Sequence, residues 1–359
     1  MKRCSKCILP DTIPNLTFDE QGVCNRCKAH DQPLDIKYNP EGLTRRLEQA
    51  REYRRRVGVK YDVLVPVSGG RDSSFIALDM RVNRKLDVLC VNYTNPFSSV
   101  QAGKNVEGLV KRIGADLATF TYPHQRHEKS FETNLRAWLK NPSLATMGLF
   151  CLACKPMYLE FFKMAEKHKI SLIVDGSNPN EVADFKLEAQ AGEGAGAGDL
   201  LSAKSLMTVG KKVLSNLDFI RPSNIMPALT TLMSINGDAP YLKLRYRHIE
   251  KTGYFYWVPY DEAAVNTALA EVGWEKAKDN NSPWRFDCEI DSLKNLLYYR
   301  LIGATEKDEL FSKNIRDGMM TREEAMSRLG EGDINMDVVE RVLRMVNLTM
   351  ADIDRALPG

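Results

Sequence analysis

The sequence predicts an α/β protein built on a doubly wound parallel sheet, with a metal-bound knuckle at its amino end and a helical extension at its carboxyl end. Three observations predict it. Short apolar runs of strand length alternate with stretches of helix length between residues 62 and 175, the rhythm of parallel strands joined by covering helices. Ser68-Gly69-Gly70 ends the first of these runs where a helix begins. Two Cys-x-x-Cys pairs stand within the first thirty residues.

The elements follow in order. Asp62 to Val67 reads as a buried strand and Asp72 to Met80 as the amphipathic helix after it. A second strand covers Leu86 to Asn92, a helix Ala102 to Ile113, and a third strand Asp116 to Tyr122. Residues 125–140 and 153–168 read as helices, and Ile170 to Val174 as a fourth strand. Residues 190–198 hold four glycines and no bulky apolar side chain, so they suit a linker or a lid over a ligand. Tyr254 to Val258 suits a fifth strand, and Thr321-Arg322-Glu323-Glu324 a helix start. The expected division is a knuckle over 1–45, an α/β domain over 46–275 and a helical region over 276–359.

Composition excludes several classes. A 43% hydrophobic share with 27% charged residues is that of a globular protein rather than a disordered one. The net charge of +3 only slightly disfavours a dedicated nucleic-acid binder, whose phosphate contacts need a basic surface, and runs such as Arg51, Arg54, Arg55 and Arg56, or Lys243, Arg245 and Arg247, read as solvated faces. No segment reaches the ~20 apolar residues of a membrane span, and Met1-Lys2-Arg3-Cys4 lacks a signal-peptide core. The expectation is a cytoplasmic protein with no membrane partner, in which thiols stay reduced and the sequons at Asn15 and Asn347 are chance.

The most informative segment is Val67 to Ser74. Glycines let the chain turn sharply and approach a ligand closely, and the unpaired N–H groups of the helix start suit phosphate oxygens. Ser68, Ser73 and Ser74 offer hydroxyls, and Asp72 a cap or a brace. The segment is not a Walker A loop, because no Gly-Lys-Ser/Thr follows a four-residue gap.

Cys4-x-x-Cys7 and Cys24-x-x-Cys27, sixteen residues apart, have the spacing of a structural Zn²⁺ site. Cys151-x-x-Cys154 is a third pair, for which Cys288 is the best further partner; Cys90 lies in a buried strand. This second group is read as reduced or core thiols, as ligands of a cluster, or as a second zinc or redox site.

Ser68-Gly69-Gly70-Arg71-Asp72-Ser73 resembles the Ser-Gly-Gly-x-Asp-Ser signature of the PP-loop ATP pyrophosphatase superfamily. The resemblance implies an adenine nucleotide alpha hydrolase-like fold that holds ATP with Mg²⁺ and cuts it between the α and β phosphates. It places nucleotide contacts on Val67, Ser68, Gly69, Gly70, Asp72, Ser73 and Ser74, with Asp72 and Ser73 as catalytic. Asn92 would hold adenosine, and Gly176, Asn178 and Glu181 a second phosphate-facing turn. The three later cysteines resemble the 4Fe-4S arrangement of PP-loop tRNA thiolases. The order of Lys2-Arg3-Cys4-Ser5-Lys6-Cys7-Ile8-Leu9-Pro10, Phe18-Asp19-Glu20, the loop, the Cys151–Cys154 pair and Gly318 to Ala325 is similar to the N-acetyl sugar amidotransferases of surface-polysaccharide biosynthesis. That family implies adenylation of the acetamido oxygen of a nucleotide sugar and its replacement by ammonia, giving an acetamidino sugar. His124, His127 and His168 read as surface or packing residues, so ammonia would come from separate glutaminase subunits. The alternative is a sulfur-transfer or desulfuration enzyme acting on tRNA or a small molecule.

Overall fold

The computed structural model describes residues 1–30, 38–178, 183–192, 194–195, 202–277, 287–329 and 334–357. Five strands, β1 (Val63–Pro66), β2 (Val88–Tyr93), β3 (Asp116–Phe120), β4 (Leu172–Asp175) and β5 (Glu250–Gly253), form one parallel sheet in the order β3-β2-β1-β4-β5. Leu64 lies opposite Leu89 of β2 on one side and Ile173 of β4 on the other.

Strand side chains alternate between two buried faces. Val63, Val65, Val88, Cys90, Leu172 and Val174 join one core, with Leu43, Leu47, Ile76, Val106, Leu109, Val265 and Leu269 from the covering helices. Leu64, Leu89, Val91 and Ile173 join the other, with Leu159, Phe162, Leu242 and Tyr246. Apolar residues on both sides of each central strand are what bury a sheet between helices, so the doubly wound architecture is the observed one.

Local chemistry sets the helix ends. Helix Pro40–Val57 starts with Asn39, whose side chain accepts from Gly42 N at 2.8 Å, and stops at Gly58, φ 73°. Helix Val100–Ile113 starts with Ser99 accepting from Ala102 N and ends at Gly114 with φ 63°. Thr321 caps helix Arg322–Arg328, accepting from Glu324 N at 3.1 Å. Helix Arg71–Leu78 runs into a π-turn, Asp79–Asn83, before β2.

The fifth strand departs from the sequence reading. It is Glu250–Gly253, and the aromatic run expected to form it is a 3₁₀ turn, Tyr254–Tyr256, followed by loop. Tyr254 and Phe255 are buried against the sheet edge, so their bulk serves packing after the strand. Likewise the helix expected from residue 153 starts at Met157; Cys151 ends a 3₁₀ helix, Leu144–Cys151, and Cys154 lies in a turn. Of the glycine-rich stretch, residues 193 and 196–198 lie outside the described residues.

A third core ties the two chain ends together. Cys4, Cys7, Leu9, Ile13, Cys24 and Cys27 pack in one cluster with Phe131 and Trp138 of helix Arg126–Lys140, Leu293 and Leu297 of helix Ile290–Ile302, and Val338, Val339 and Val342 of helix Met336–Met345. Polar bonds reinforce it: Arg322 Nε donates to Cys7 O at 3.0 Å, and Arg26 bridges Glu188 and Glu309, each at 2.6 Å.

Candidate nucleotide site and its flanking cysteines

The order of the sheet reverses between β1 and β4, and ligands of open parallel sheets bind outside the carboxyl ends of strands at such a point. The Ser68–Ser74 loop leaves β1 here. Gly69 has φ 83°, and a Cβ built on it would lie 2.1 Å from Ala102 O. Its carbonyl accepts from Asn105 Nδ2 at 3.2 Å and Trp274 Nε1 at 3.1 Å. Two donors and a close neighbour therefore fix the bend. Gly70 caps helix Arg71–Leu78 without a side-chain cap bond, and the first-turn N–H groups of a helix have no intrahelical partner.

The serines brace the loop. Ser73 Oγ accepts from Ser68 N at 3.1 Å and lies 3.0 Å from Ser68 Oγ, which in turn accepts from Gly70 N at 3.2 Å. Ser74 Oγ is buried without a hydrogen-bond partner, which leaves one hydroxyl of the loop uncommitted. Asp72 accepts from Arg71 Nε and from Tyr260 Oη, both at 3.1 Å, and Arg71 reaches Glu262 at 2.7 Å. Burial first, and then the Asp72 carboxylate, hold the Tyr260 phenol far above its ordinary range, so it stays a donor. Asn92, at the end of β2, donates to Val67 O at 2.7 Å; its amide N–H braces the loop entrance.

The second turn meets the first. A Cβ on Gly176 would lie 3.7 Å from Ser73 N and 3.8 Å from Asp72 Cβ. Asp175 Oδ1 accepts from Ser177 N at 3.1 Å, and its other oxygen pairs with Lys251 Nζ of β5 at 3.2 Å. Asn178 follows directly; Glu181 lies outside the described residues.

The four amino-terminal cysteines converge. All are buried and their sulfurs lie within 4.8 Å of one another, with Cys4–Cys27 at 3.9 Å and Cys7–Cys24 at 3.8 Å. Zinc–sulfur bonds of ~2.3 Å in a tetrahedron separate the sulfurs by about 3.8 Å, so the residues present fit one Zn²⁺. Sulfur hydrogen bonds from Cys24 and Cys27 draw Cys4 and Cys7 towards thiolate, Cys7 to about 7, while the thiols of Cys24 and Cys27 are held up within the same group. A metal ion would hold all four as thiolates.

The later cysteines form a looser group beside the loop. Cys288 makes an antiparallel bridge to Ser98, and its sulfur accepts from Asn95 Nδ2 at 3.6 Å. Burial, then Cys154 and Cys151, push its thiol far up, and burial and Cys151 push Cys154 to about 12. Among the described residues only the amino-terminal four gather within 4.8 Å; Cys151, Cys154 and Cys288 are not brought to that spacing. Asp287, the residue before Cys288, has its carboxylate 3.3 Å from a Cβ built on Gly70, so the segment that carries Cys288 borders the loop.

Sequence reasoning missed Tyr260, Trp274, Asp287 and Lys251, which reach the site from far along the chain. Asn105 carried a signal: it is polar on the face of helix Val100–Ile113 that also holds Ala102, Val106 and Leu109. His127 is buried, with Nδ1 2.9 Å from Tyr93 Oη, His168 packs edge-on to Tyr61, and His124 is exposed. Cys90 is buried within β2, and burial raises its thiol to about 12.

No protein-family model matches the chain, and no curated protein matches it in sequence. Among solved structures it is similar to NMN synthetase from Francisella tularensis, at 12% identity over 87% of this chain and 98% of that one, TM-score 0.38. It is also similar to the U34-tRNA thiolase NcsA from Methanococcus maripaludis with its 4Fe-4S cluster, at 13% identity over 97% and 99%, TM-score 0.32. No helix among the described residues is long and apolar enough to cross a membrane.

Proposed function

We propose that this protein is an ATP pyrophosphatase of the PP-loop type that adenylates an amide oxygen, in the manner of an N-acetyl sugar amidotransferase. One observation carries the reading: a bend fixed at positive φ delivers a helix start with no side-chain cap to the switch point of the sheet, against a second glycine turn. Backbone N–H groups there would stabilise charge building on the phosphates as pyrophosphate parts from AMP, and Mg²⁺ would accompany the triphosphate. Gly69 and Gly70 keep the cradle open, Ser68 and Ser73 hold its shape, and Tyr260 and Arg71 hold Asp72 in place.

An acetamido carbonyl is a poor electrophile. Transfer of AMP to its oxygen makes that oxygen a leaving group; ammonia attacks the carbon, AMP departs and an acetamidino group remains. His127 and His168 are occupied in packing, which supports an external glutaminase as the ammonia source. Zn²⁺ on Cys4, Cys7, Cys24 and Cys27 would be structural, since four sulfurs leave no open position. Incubation with ATP, Mg²⁺, ammonium and acetamido nucleotide sugars should release AMP and pyrophosphate; release of ADP alone would refute the assignment.

The placement of Cys288 favours one second reading, a sulfur-transfer enzyme acting on tRNA or a small molecule. Asp287 approaches Gly70, and Cys154 and Cys151 both act on the buried Cys288 thiol, so Cys151, Cys154 and Cys288 would be the residues to hold a cluster, one of them on the segment that borders the loop. Iron and sulfide in anaerobically purified protein, with AMP release dependent on tRNA, would select it. Iron-free protein active on acetamido sugars would eliminate it.

A further inference from the structure

The nucleotide loop carries a buried cation that is held from a distance. Arg71 opens helix Arg71–Leu78, where the helix dipole disfavours positive charge, and its side chain is only 7% exposed. Two carboxylates offset that cost, Asp72 at 3.1 Å and Glu262 at 2.7 Å. Glu262 is the first residue of helix Glu262–Glu271, whose dipole favours its charge. Val265 and Leu269 seat that helix in the same core as Ile76. Glu262 has a second cationic partner: Arg328 Nη2 donates to both of its oxygens, each at 3.2 Å.

Arg328 is itself fixed. It ends helix Arg322–Arg328, which has seven residues and so spans about 10 Å. At the other end Arg322 donates to Cys7 O at 3.0 Å and to Cys4 O at 3.3 Å. Between them Ala325 is buried with Ile8, Leu310 and Phe311, and the Arg328 guanidinium lies 5.0 Å from the centre of the Phe311 ring. The helix is a short strut, with the knuckle at one end and, through Glu262, the loop at the other.

We propose that Arg328 and Glu262 are positioning residues for the nucleotide loop. Arg328 orients the Glu262 carboxylate, Glu262 holds the Arg71 guanidinium, and Arg71 with Tyr260 fixes Asp72. The proposal rests on the PP-loop reading above. Glu262 and Arg328 are 35% and 29% exposed, and ion pairs so open to water contribute little to stability. What the pair supplies is geometry, and a misplacement of about 1 Å in a reacting site costs on the order of 100-fold in rate.

The test follows AMP release by the full chain with Mg²⁺, ammonium and acetamido nucleotide sugars while ATP is varied. Glu262→Gln and Arg328→Met change the local charge in opposite senses. Charge alone would therefore strengthen the pull on ATP in one variant and weaken it in the other. Positioning predicts instead that both lower kcat, by about 10- to 100-fold, with melting temperatures close to that of the wild type. Arg328→Lys should restore most of kcat, because one nitrogen touching both oxygens is a contact that an ammonium can also make. Opposite shifts in KM for ATP with kcat unmoved overturn the proposal, as does a loss of kcat that only tracks a lower melting temperature. If Glu262→Gln does not fold, Arg328→Met and Arg328→Lys decide by the same criterion. No AMP from the wild type overturns the PP-loop reading and this proposal with it; AMP from every variant at the wild-type rate overturns the proposal alone.

Discussion

Gly69 shows how much of the proposed chemistry rests on one missing carbon. An alanine there must adopt φ 83° and place its Cβ 2.1 Å from Ala102 O. The left-handed backbone alone costs about 1–2 kcal/mol, and the overlap forces the bend away from helix Val100–Ile113, unseating the bonds from Asn105 and Trp274. Gly69→Ala should therefore abolish nucleotide-dependent AMP release while the chain stays folded, checked by AMP assay beside a thermal melt; near-normal turnover would show that the bend does not shape the site. His127 is legible in a different way. It is 1% exposed, its Nε2 has no partner, and burial lowers its pKa to about 4. A base depressed in the folded state binds its proton only on unfolding, so stability falls as the pH drops from about 6.5 towards 4. The linked loss is about 3 kcal/mol once both values are passed. His127→Gln should remove that portion of the acid sensitivity, seen as a smaller difference in urea midpoint between pH 7 and about pH 4.5; identical pH profiles would contradict the burial argument.

Among the elements, strands buried on both faces were readable because their apolar runs have no other stable use, and the loop after β1 because its glycines and serines punctuate a strand. β5 was not readable. Glu250–Gly253 is a polar edge strand held by pairing to β4, whereas Tyr254 and Phe255, better strand formers by composition, turn away to pack. Tertiary pairing outweighed local preference there. What β5 contributes is Lys251, which pairs with Asp175 and lies 3.5 Å from Asp238. Burial alone would lower the lysine's pKa, but the two carboxylates outweigh it and raise it. The stabilisation is thus complete below the unfolded value and fades as the pH rises through the folded one, on the alkaline side. Lys251→Met strands Asp175 in the interior, and breaking a buried pair in this way costs ~3–5 kcal/mol. Because Asp175 also holds the Ser177 amide, the variant should lose nucleotide affinity as well as melting temperature. A lower melting temperature with unchanged ATP affinity would separate the ion pair from the second turn.

At the scale of the whole molecule, the knuckle is a joint between the chain ends. The Cys-x-x-Cys spacing announced the metal site, but nothing in the local sequence announced that its cysteines share a core with Leu293, Leu297, Val338 and Val342, because that contact spans almost the full chain. The two cores flanking the sheet contain none of these residues. Removing the ion should therefore loosen the two ends together and spare the sheet. Structural zinc contributes roughly 10–16 kcal/mol in isolated fingers, so a chelator strong enough to strip it, or Cys24→Ser, should release amide protection across residues 1–30 and 290–357 while β1 and β2 remain protected. The intact protein should contain one zinc per chain. Arg26 offers an independent route to the same joint, since Arg26→Met leaves Glu309, 0% exposed, with only Arg316 at 3.8 Å, at a cost of up to about 3–5 kcal/mol. If chelation freed only the first thirty residues and left the carboxyl-terminal helices protected, the shared core would not be what holds those helices, and their packing on helix Arg126–Lys140 would have to suffice alone.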